Sequence, residues 1–263
     1  MINRIASLLL FLLPISAFSA ELSNVDKIVE KAINAAFYTG DDGRAVTRMT
    51  IVDKQGRKQV RQFTILRHDI KDGGDQKYLV YFTRPADVKK TMFLVHKHPG
   101  KEDDRWLYLP GLDLVKRIAA GDDRTSFVGS HFFYEDVSGR DMNADKHELT
   151  KTDNDFYVVK NTPKDPSSVE FKEYTVWIDK NTFIPMKTEY KDDSGKVYRR
   201  VETLKVEDIS GFKTATKMKV SDLRNNSYTL NEMRFIKYNT GIPESIFVER
   251  SLRTPPIKWL KGR

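Results

Sequence analysis

Between Val25 and Phe37 apolar residues recur at helical spacing: Val25, Ile28, Val29, Ala32, Ile33, Ala36 and Phe37. Ser23 or Asn24 can serve as the N-cap, Asp26 follows in the first turn, and Gly40 closes the segment. The pattern predicts one amphipathic helix from about Asn24 to Tyr38, with an apolar stripe that must cover something. Beyond it the period changes. Arg44 to Val52, Gln59 to Arg67, Lys77 to Thr83, Phe171 to Ile178, Val197 to Val206, Thr214 to Val220 and Tyr228 to Tyr238 are rich in β-branched and aromatic residues. Turn chemistry separates them at Lys54-Gln55-Gly56, Asp72-Gly73-Gly74-Asp75, Asp179-Lys180-Asn181, Asp192-Asp193-Ser194-Gly195, Ser210-Gly211 and Arg224-Asn225-Asn226-Ser227. Consecutive hairpins build an antiparallel meander, and no βαβ alternation suggests a parallel sheet. A meander this long should curl until one face encloses a core, leaving the helix to cover the opening. Thr214, Thr216, Met218 and Val220 alternate with Lys213, Lys217 and Lys219, so that strand has one dry and one wet face.

His98 to Asn143 breaks this rhythm. Asp113 to Ala120 and Gly121 to Arg124 can be read as a strand end, a short helix or a loop, and an irregular insertion of this length suits a lid or a binding loop. Inside it Trp106, Tyr108, Leu109, Phe127, Phe132 and Phe133 gather large rings and apolar bulk with a few polar tips. Such a lining suits a lipid-sized pocket better than a bond-breaking centre, and these six residues are the candidate wall or rim. The tail, from Pro243, predicts a last short strand around Phe247 to Leu252 and then a partly ordered end.

The N-terminus changes the setting. Arg4 is followed by the apolar run Ile5 to Ile15 and by small residues through Ala20, the three parts of a secretory signal. Cleavage is expected after Ser19, or after Ala20, leaving residues 20–263 as one domain. The run is too short to span a bilayer, which takes ~20 apolar residues. The chain has no cysteine, so neither a disulfide framework nor a thiol for lipid attachment is available. These features predict an exported, soluble, periplasmic protein. The net charge of +8 is spread along the chain without a basic arm, which argues against nucleic acid and leaves a solvated face or contact with anionic headgroups.

Asp104-Arg105-Trp106-Leu107-Tyr108-Leu109-Pro110, Val115-Lys116-Arg117-Ile118, Ser126-Phe127-Val128-Gly129-Ser130 and Tyr134-Glu135-Asp136 resemble the periplasmic lipoprotein carriers and acceptors, LolA/LolB-like, and more closely the branch of outer-membrane lipoprotein-sorting proteins. Arg84-Pro85 and the Thr182 to Tyr190 hairpin with Pro185 add to the likeness. The resemblance implies a mainly β fold with a few helices: an incomplete, half-open antiparallel β-barrel of about eleven strands, covered by the N-terminal helix and a helical or loop lid. It implies a non-catalytic carrier, without cofactor, that shelters the acyl chains of a lipoprotein or other lipid between inner and outer membrane. An inner-membrane exporter of the resistance-nodulation-division type as donor, an outer-membrane acceptor and a monomeric state are the implied partners and assembly. A periplasmic sensor of the same fold, binding lipid or lipoprotein and a membrane partner, is the alternative.

Two other patterns carry chemistry on paper. His96 and His98, with Glu102, Asp103 and Asp104 close behind, could supply metal ligands, and Ser130, His131 and Asp136 hold the letters of a catalytic triad. No Gly-x-Ser-x-Gly elbow accompanies the second, and the expectation for both is polar structure: no metal and no catalytic residue.

Overall fold

The computed structural model describes residues 23–262. The predicted signal segment lies outside the described residues. Helix α1 (Val25–Phe37) leads into a single antiparallel sheet of thirteen strands: β1 (Asp42–Val52), β2 (Lys58–Asp69), β3 (Gln76–Arg84), β4 (Met92–Lys97), β5 (Asp104–Leu109), β6 (Leu114–Ile118), β7 (Asp145–Thr152), β8 (Phe156–Pro163), β9 (Glu173–Asp179), β10 (Pro185–Lys191), β11 (Val197–Ile209), β12 (Phe212–Asp222) and β13 (Ser227–Tyr238). Short helices α2 (Glu135–Ser138), α3 (Arg250–Arg253) and α4 (Ile257–Lys261) complete it.

The order across the sheet is β6-β5-β4-β3-β2-β1-β13-β12-β11-β10-β9-β8-β7. The chain therefore enters at the middle, runs outward to one edge, and returns from the other edge until β13 pairs with β1. The sheet is not closed into a barrel. Only residues 119–144 join the edge strands β6 and β7, so this segment has to cross the open side. It is the lid.

Every turn signal in the sequence coincides with a hairpin, and the predicted helix is in place with Asn24 as its N-cap, accepting from the Lys27 N–H at 3.1 Å. The sheet has thirteen strands where the resemblance implied about eleven. Strands β4 and β7 carry little periodic signal: Met92 to Val95 is buried on both faces, and β7 is a charged edge strand, Asp-Lys-His-Glu-Leu-Thr-Lys-Thr. The tail corrects the expected strand at Phe247 to Leu252 and the partly ordered end. Arg250–Arg253 and Ile257–Lys261 are helical, split by Pro255-Pro256, and Phe247, Leu252 and Leu260 are buried against the outer face of the sheet.

That outer packing explains why β3 and β4 hold buried apolar residues at consecutive positions, Tyr78 to Val80 and Met92 to Val95. On the concave side Phe63, Tyr78, Val80, Phe82, Phe93 and Val95 meet Phe127, Phe132 and Tyr134 of the lid. On the convex side Leu66, Leu79, Met92 and Leu94 meet Ile242, Phe247, Leu252 and Leu260. Across the trough, Ile28, Val29 and Ala32 of α1 pack on Tyr157, Val159 and Ile178 of β8 and β9. Among the described residues, the helices that pack on the convex face cover β2, β4 and β5.

The C-terminal end of α1 is tied to the sheet by side chains. The Arg67 guanidinium donates to the carbonyls of Phe37, Thr39 and Gly40, and Gln76 Nε2 donates to Phe37 O at 2.8 Å. Cationic and amide donors here satisfy carbonyls that the helix leaves free and complement its negative end.

Phe247 is fully buried between strands and tail. Phe247→Ala should lower stability by about 3 kcal/mol or more through the cavity it leaves, read as a fall in the urea midpoint at unchanged slope.

Candidate functional site

A cavity of about 410 Å³ runs between α1, the concave face and the lid. Small residues on α1 make room for it. Ala32, Ala35 and Ala36 face the trough where larger side chains would fill it. The sheet supplies Met49, Phe63, Val80, Val159, Val176, Val201, Met218 and Met233, and the lid adds Phe127, Phe132, Val137 and Met142. Four methionines among these walls give an adaptable apolar surface, since an unbranched thioether can follow the shape of whatever it meets.

The lid tip is built by local hydrogen bonds. Phe127 N–H donates to Phe132 O at 2.7 Å, Ser130 Oγ to Phe127 O at 2.7 Å, and Ser126 Oγ to Ser130 O at 2.6 Å. This turn holds Phe127 and Phe132 against the cavity and leaves His131 on the other side. His131 is fixed by Thr229 Oγ1 at 2.8 Å and Ser227 Oγ at 2.6 Å, and burial pushes its imidazole below the ordinary value. Past the tip lies a polar cleft of about 300 Å³, bordered by Asp53, Lys54, Arg57, Gly129, His131 and Asn225. An apolar cavity and a polar cleft thus follow one another along the trough, with the lid tip between them.

Buried charges hold the lid down. Glu135, 5% exposed, is gripped by Arg124 and by Arg140 Nη1 at 2.9 Å. Arg140 forks onto Asp145 at 2.8 and 2.9 Å, and Asp145 also accepts from Tyr174 Oη at 2.7 Å. Arg124 forks onto Glu170 at 2.7 and 2.8 Å, and Asp136 receives Arg199 at 2.5 Å. Phe133 sits between two guanidiniums, with Arg124 5.0 Å and Arg199 4.5 Å from its centroid. Burial alone would raise Glu170, but the bonds and charge of Arg124, with the Tyr198 hydroxyl, hold it at about 2. Asp123 is raised to about 6 by burial and by the neighbouring Glu135. Burial likewise raises Asp69 to about 6 against the pull of Arg67.

The six residues expected at the cavity wall separate into four places. Phe127 and Phe132 line the cavity. Leu109 packs on the concave core beside it, and Phe133 belongs to the arginine cluster. Trp106 and Tyr108 lie on the convex face under the C-terminal helices, Trp106 edge-on to His96 and Tyr108 bonded to Asp113. Alternation along β5 puts Leu107 on the cavity side of the sheet and the two rings on the other, which an insertion read without its partners could not show. The arginines that latch the lid escaped the sequence reading, although Tyr134-Glu135-Asp136 was part of the signature that drew attention.

The two chemical patterns have separate partners. His96 Nε2 donates to Phe247 O at 2.8 Å, while His98 faces Asp75 and Asp104. Ser130 Oγ donates to a carbonyl, and Asp136 is taken by Arg199 and the Phe133 N–H, so neither forms a triad with His131. Among the described residues no group of three or more His, Asp or Glu could hold a metal ion, and no helix is long and apolar enough to cross a membrane.

A model of a family described as uncharacterized protein matches residues 74–254. The chain belongs to this family. A DUF1329 family protein from Desulfovibrio piger is 27% identical, with 87% of this chain and 98% of that one covered at a TM-score of 0.77. A putative outer membrane lipoprotein-sorting protein domain from Vibrio parahaemolyticus is also 27% identical, with 88% and 100% covered and a TM-score of 0.77. The LolA superfamily protein NE2245 from Nitrosomonas europaea, 18% identical over 87% of this chain and 99% of that one, has a TM-score of 0.67. The fold of the family member described here is LolA-like. A comparison with curated proteins gave no match.

The shifted carboxyls set a pH profile. Asp69 and Asp123 bind protons more readily folded than unfolded, so their protonation adds stability as pH falls from about 7 toward 4.5. Glu170 is shifted the other way, and its contribution, present above its unfolded value, is lost as pH falls from about 4.5 toward 2. Urea midpoints measured across pH should rise and then fall, and Glu170→Gln should flatten the acid limb. Gly139, at φ +80, brings the lid against α1, where an added Cβ would come within 2.7 Å of the Phe37 ring. Gly139→Ala should loosen the lid, seen as faster amide exchange over residues 119–144.

Proposed function

We propose that this protein is a periplasmic carrier that shelters the acyl chains of a lipoprotein or another lipid and moves them between the inner and outer membranes without catalysis. The observation that carries this reading is the cavity: lined mainly by apolar side chains, floored by a continuous sheet, roofed by one helix, and closed by a latched lid. Its volume falls in the range of pockets that enclose small ligands.

The physical task fits that shape. Burying a CH₂ gains ~0.8 kcal/mol, so a sixteen-carbon chain crossing water unaided faces on the order of 12 kcal/mol. A carrier must offset most of this and still release its cargo. Methionine-rich walls and a barrel left open on one side give burial without a rigid fit. The likeness to a lipoprotein-sorting domain supports the cargo class. An exporter of the resistance-nodulation-division type as donor and an outer-membrane acceptor complete the proposed route.

Native mass spectrometry and solvent extraction of the protein, purified from the periplasm without detergent, should show a stoichiometric adduct of acyl-chain mass. An adduct-free protein that also takes up no lipid from vesicles would defeat the carrier reading. Ala36→Leu, which narrows the cavity from the α1 side at a position outside the packed core, should reduce uptake severalfold with a melting temperature close to that of the parent.

A further inference from the structure

Two side chains in the cavity wall have polar atoms with nothing to bind. Thr47 on β1 is 1% exposed, and its Oγ1 has no hydrogen-bond partner; Oδ1 of Asn231 on β13 has none either. Thr47 pairs with Met233 and Met49 pairs with Asn231, so the two polar residues are diagonal neighbours on one face of adjacent strands. Diagonal cross-strand neighbours are ~7–8 Å apart between Cα atoms, a span that one small polar group placed between the side chains can bridge. Buried polar atoms are otherwise paired, and an orphan pair in an apolar cavity wall asks for a partner that the chain itself does not supply.

Their place in the trough says which part of a ligand they would meet. Along β1 the concave face passes from Thr47 through Met49 and Ile51 to Asp53, and along β13 from Asn231 through Thr229 to Ser227. Both lines run from the apolar cavity toward the polar cleft beyond the lid tip. The orphan pair therefore lies inside the apolar cavity, with Met49 and Ile51 between it and the cleft along β1, where it would meet the hydrocarbon body of a ligand.

We propose that Thr47 and Asn231 recognise a hydroxyl or amide N–H carried on the ligand's acyl chain, so that the cavity selects hydroxylated or amide-linked acyl chains over plain ones. This rests on the carrier reading and names its ligand more narrowly. Water held between the two side chains in the empty protein would be displaced by a hydroxyl, which donates to Asn231 Oδ1 and accepts from Thr47 Oγ1, without loss of hydrogen bonds, and by an amide N–H with the bond to Asn231 Oδ1 kept, whereas a plain chain would strip the water and leave both atoms unpaired.

The test compares binding of hexadecanoate, β-hydroxyhexadecanoate and N-hexadecanoylglycine to the delipidated mature chain. The parent should prefer the hydroxylated or the amide probe over hexadecanoate by roughly tenfold, and the better of the two identifies the source of the donor. Thr47→Val with Asn231→Leu should bind hexadecanoate at least as well as the parent and lose the preference, while Thr47→Ser should keep it. If the double variant loses its near-ultraviolet circular dichroism, the near-isosteric Thr47→Val alone should still cut the preference severalfold. Equal binding of all three probes by the parent overturns the proposal and leaves the carrier reading standing. Binding of none overturns both.

Discussion

Everything about the cavity depends on a chain of buried charges that fastens an irregular segment to a sheet. Glu135 in the lid meets Arg124 and Arg140, which reach on to Glu170 and Asp145 on the far half of the molecule, and Asp136 meets Arg199 of β11. Removing such ions from water costs several kcal/mol each, and the cost is offset only because nearly every carboxylate accepts two or more bonds. A single missing partner would leave a buried charge uncompensated. The arrangement is therefore strict about geometry. It fixes where Phe127 and Phe132 stand, and through them the end of the apolar space.

The order of strands makes that fastening necessary. Because the chain enters at β1 and closes at β13 in the centre of the sheet, the two edges are left to β6 and β7, and one connection has to bridge them. A connection with no regular pairing of its own gains little from the sheet. Ion pairs, stacked guanidiniums and the contact of Gly139 with Phe37 supply what ladder hydrogen bonds would otherwise give. The same topology places α1 over the trough. The Arg67 and Gln76 donors at its C-terminal end set its register.

Much of the fold was legible from periodicity and turn chemistry. The helix, the hairpins and the open, curled meander follow from where apolar residues repeat and where Gly, Asn and Asp interrupt them. Strand β4 gave no alternation because it is covered on both sides, and β7 gave none because an edge is protected by charge. The tail misled because Phe247 and Leu252 bury their side chains from a coil and a short helix rather than from a strand. The site was half legible. Phe127 and Phe132 lie on the cavity as expected of its wall, but Trp106 and Tyr108 lie on the opposite face, since aromatic density marks burial without saying on which side of a sheet. The alanines of α1 and the arginines of the latch were missed for the same reason: an empty space and a long-range ion pair are both relations between distant segments.

The helices at the C-terminus clothe the outside of β2, β4 and β5. Those strands form a slab three layers thick, tail, sheet and lid, in which any bending must disturb two cores at once. Strands β8 to β12 have α1 and the trough on one side and charged residues such as Lys160, Lys187 and Lys219 on the other. The vessel thus has one stiff wall and one compliant wall. Any change in the width of the cavity would fall on the compliant wall, while the stiff wall, to which Arg67 and Gln76 tie the C-terminal end of α1, keeps a constant reference for the lid. Capacity and closure are assigned to different halves of a single sheet.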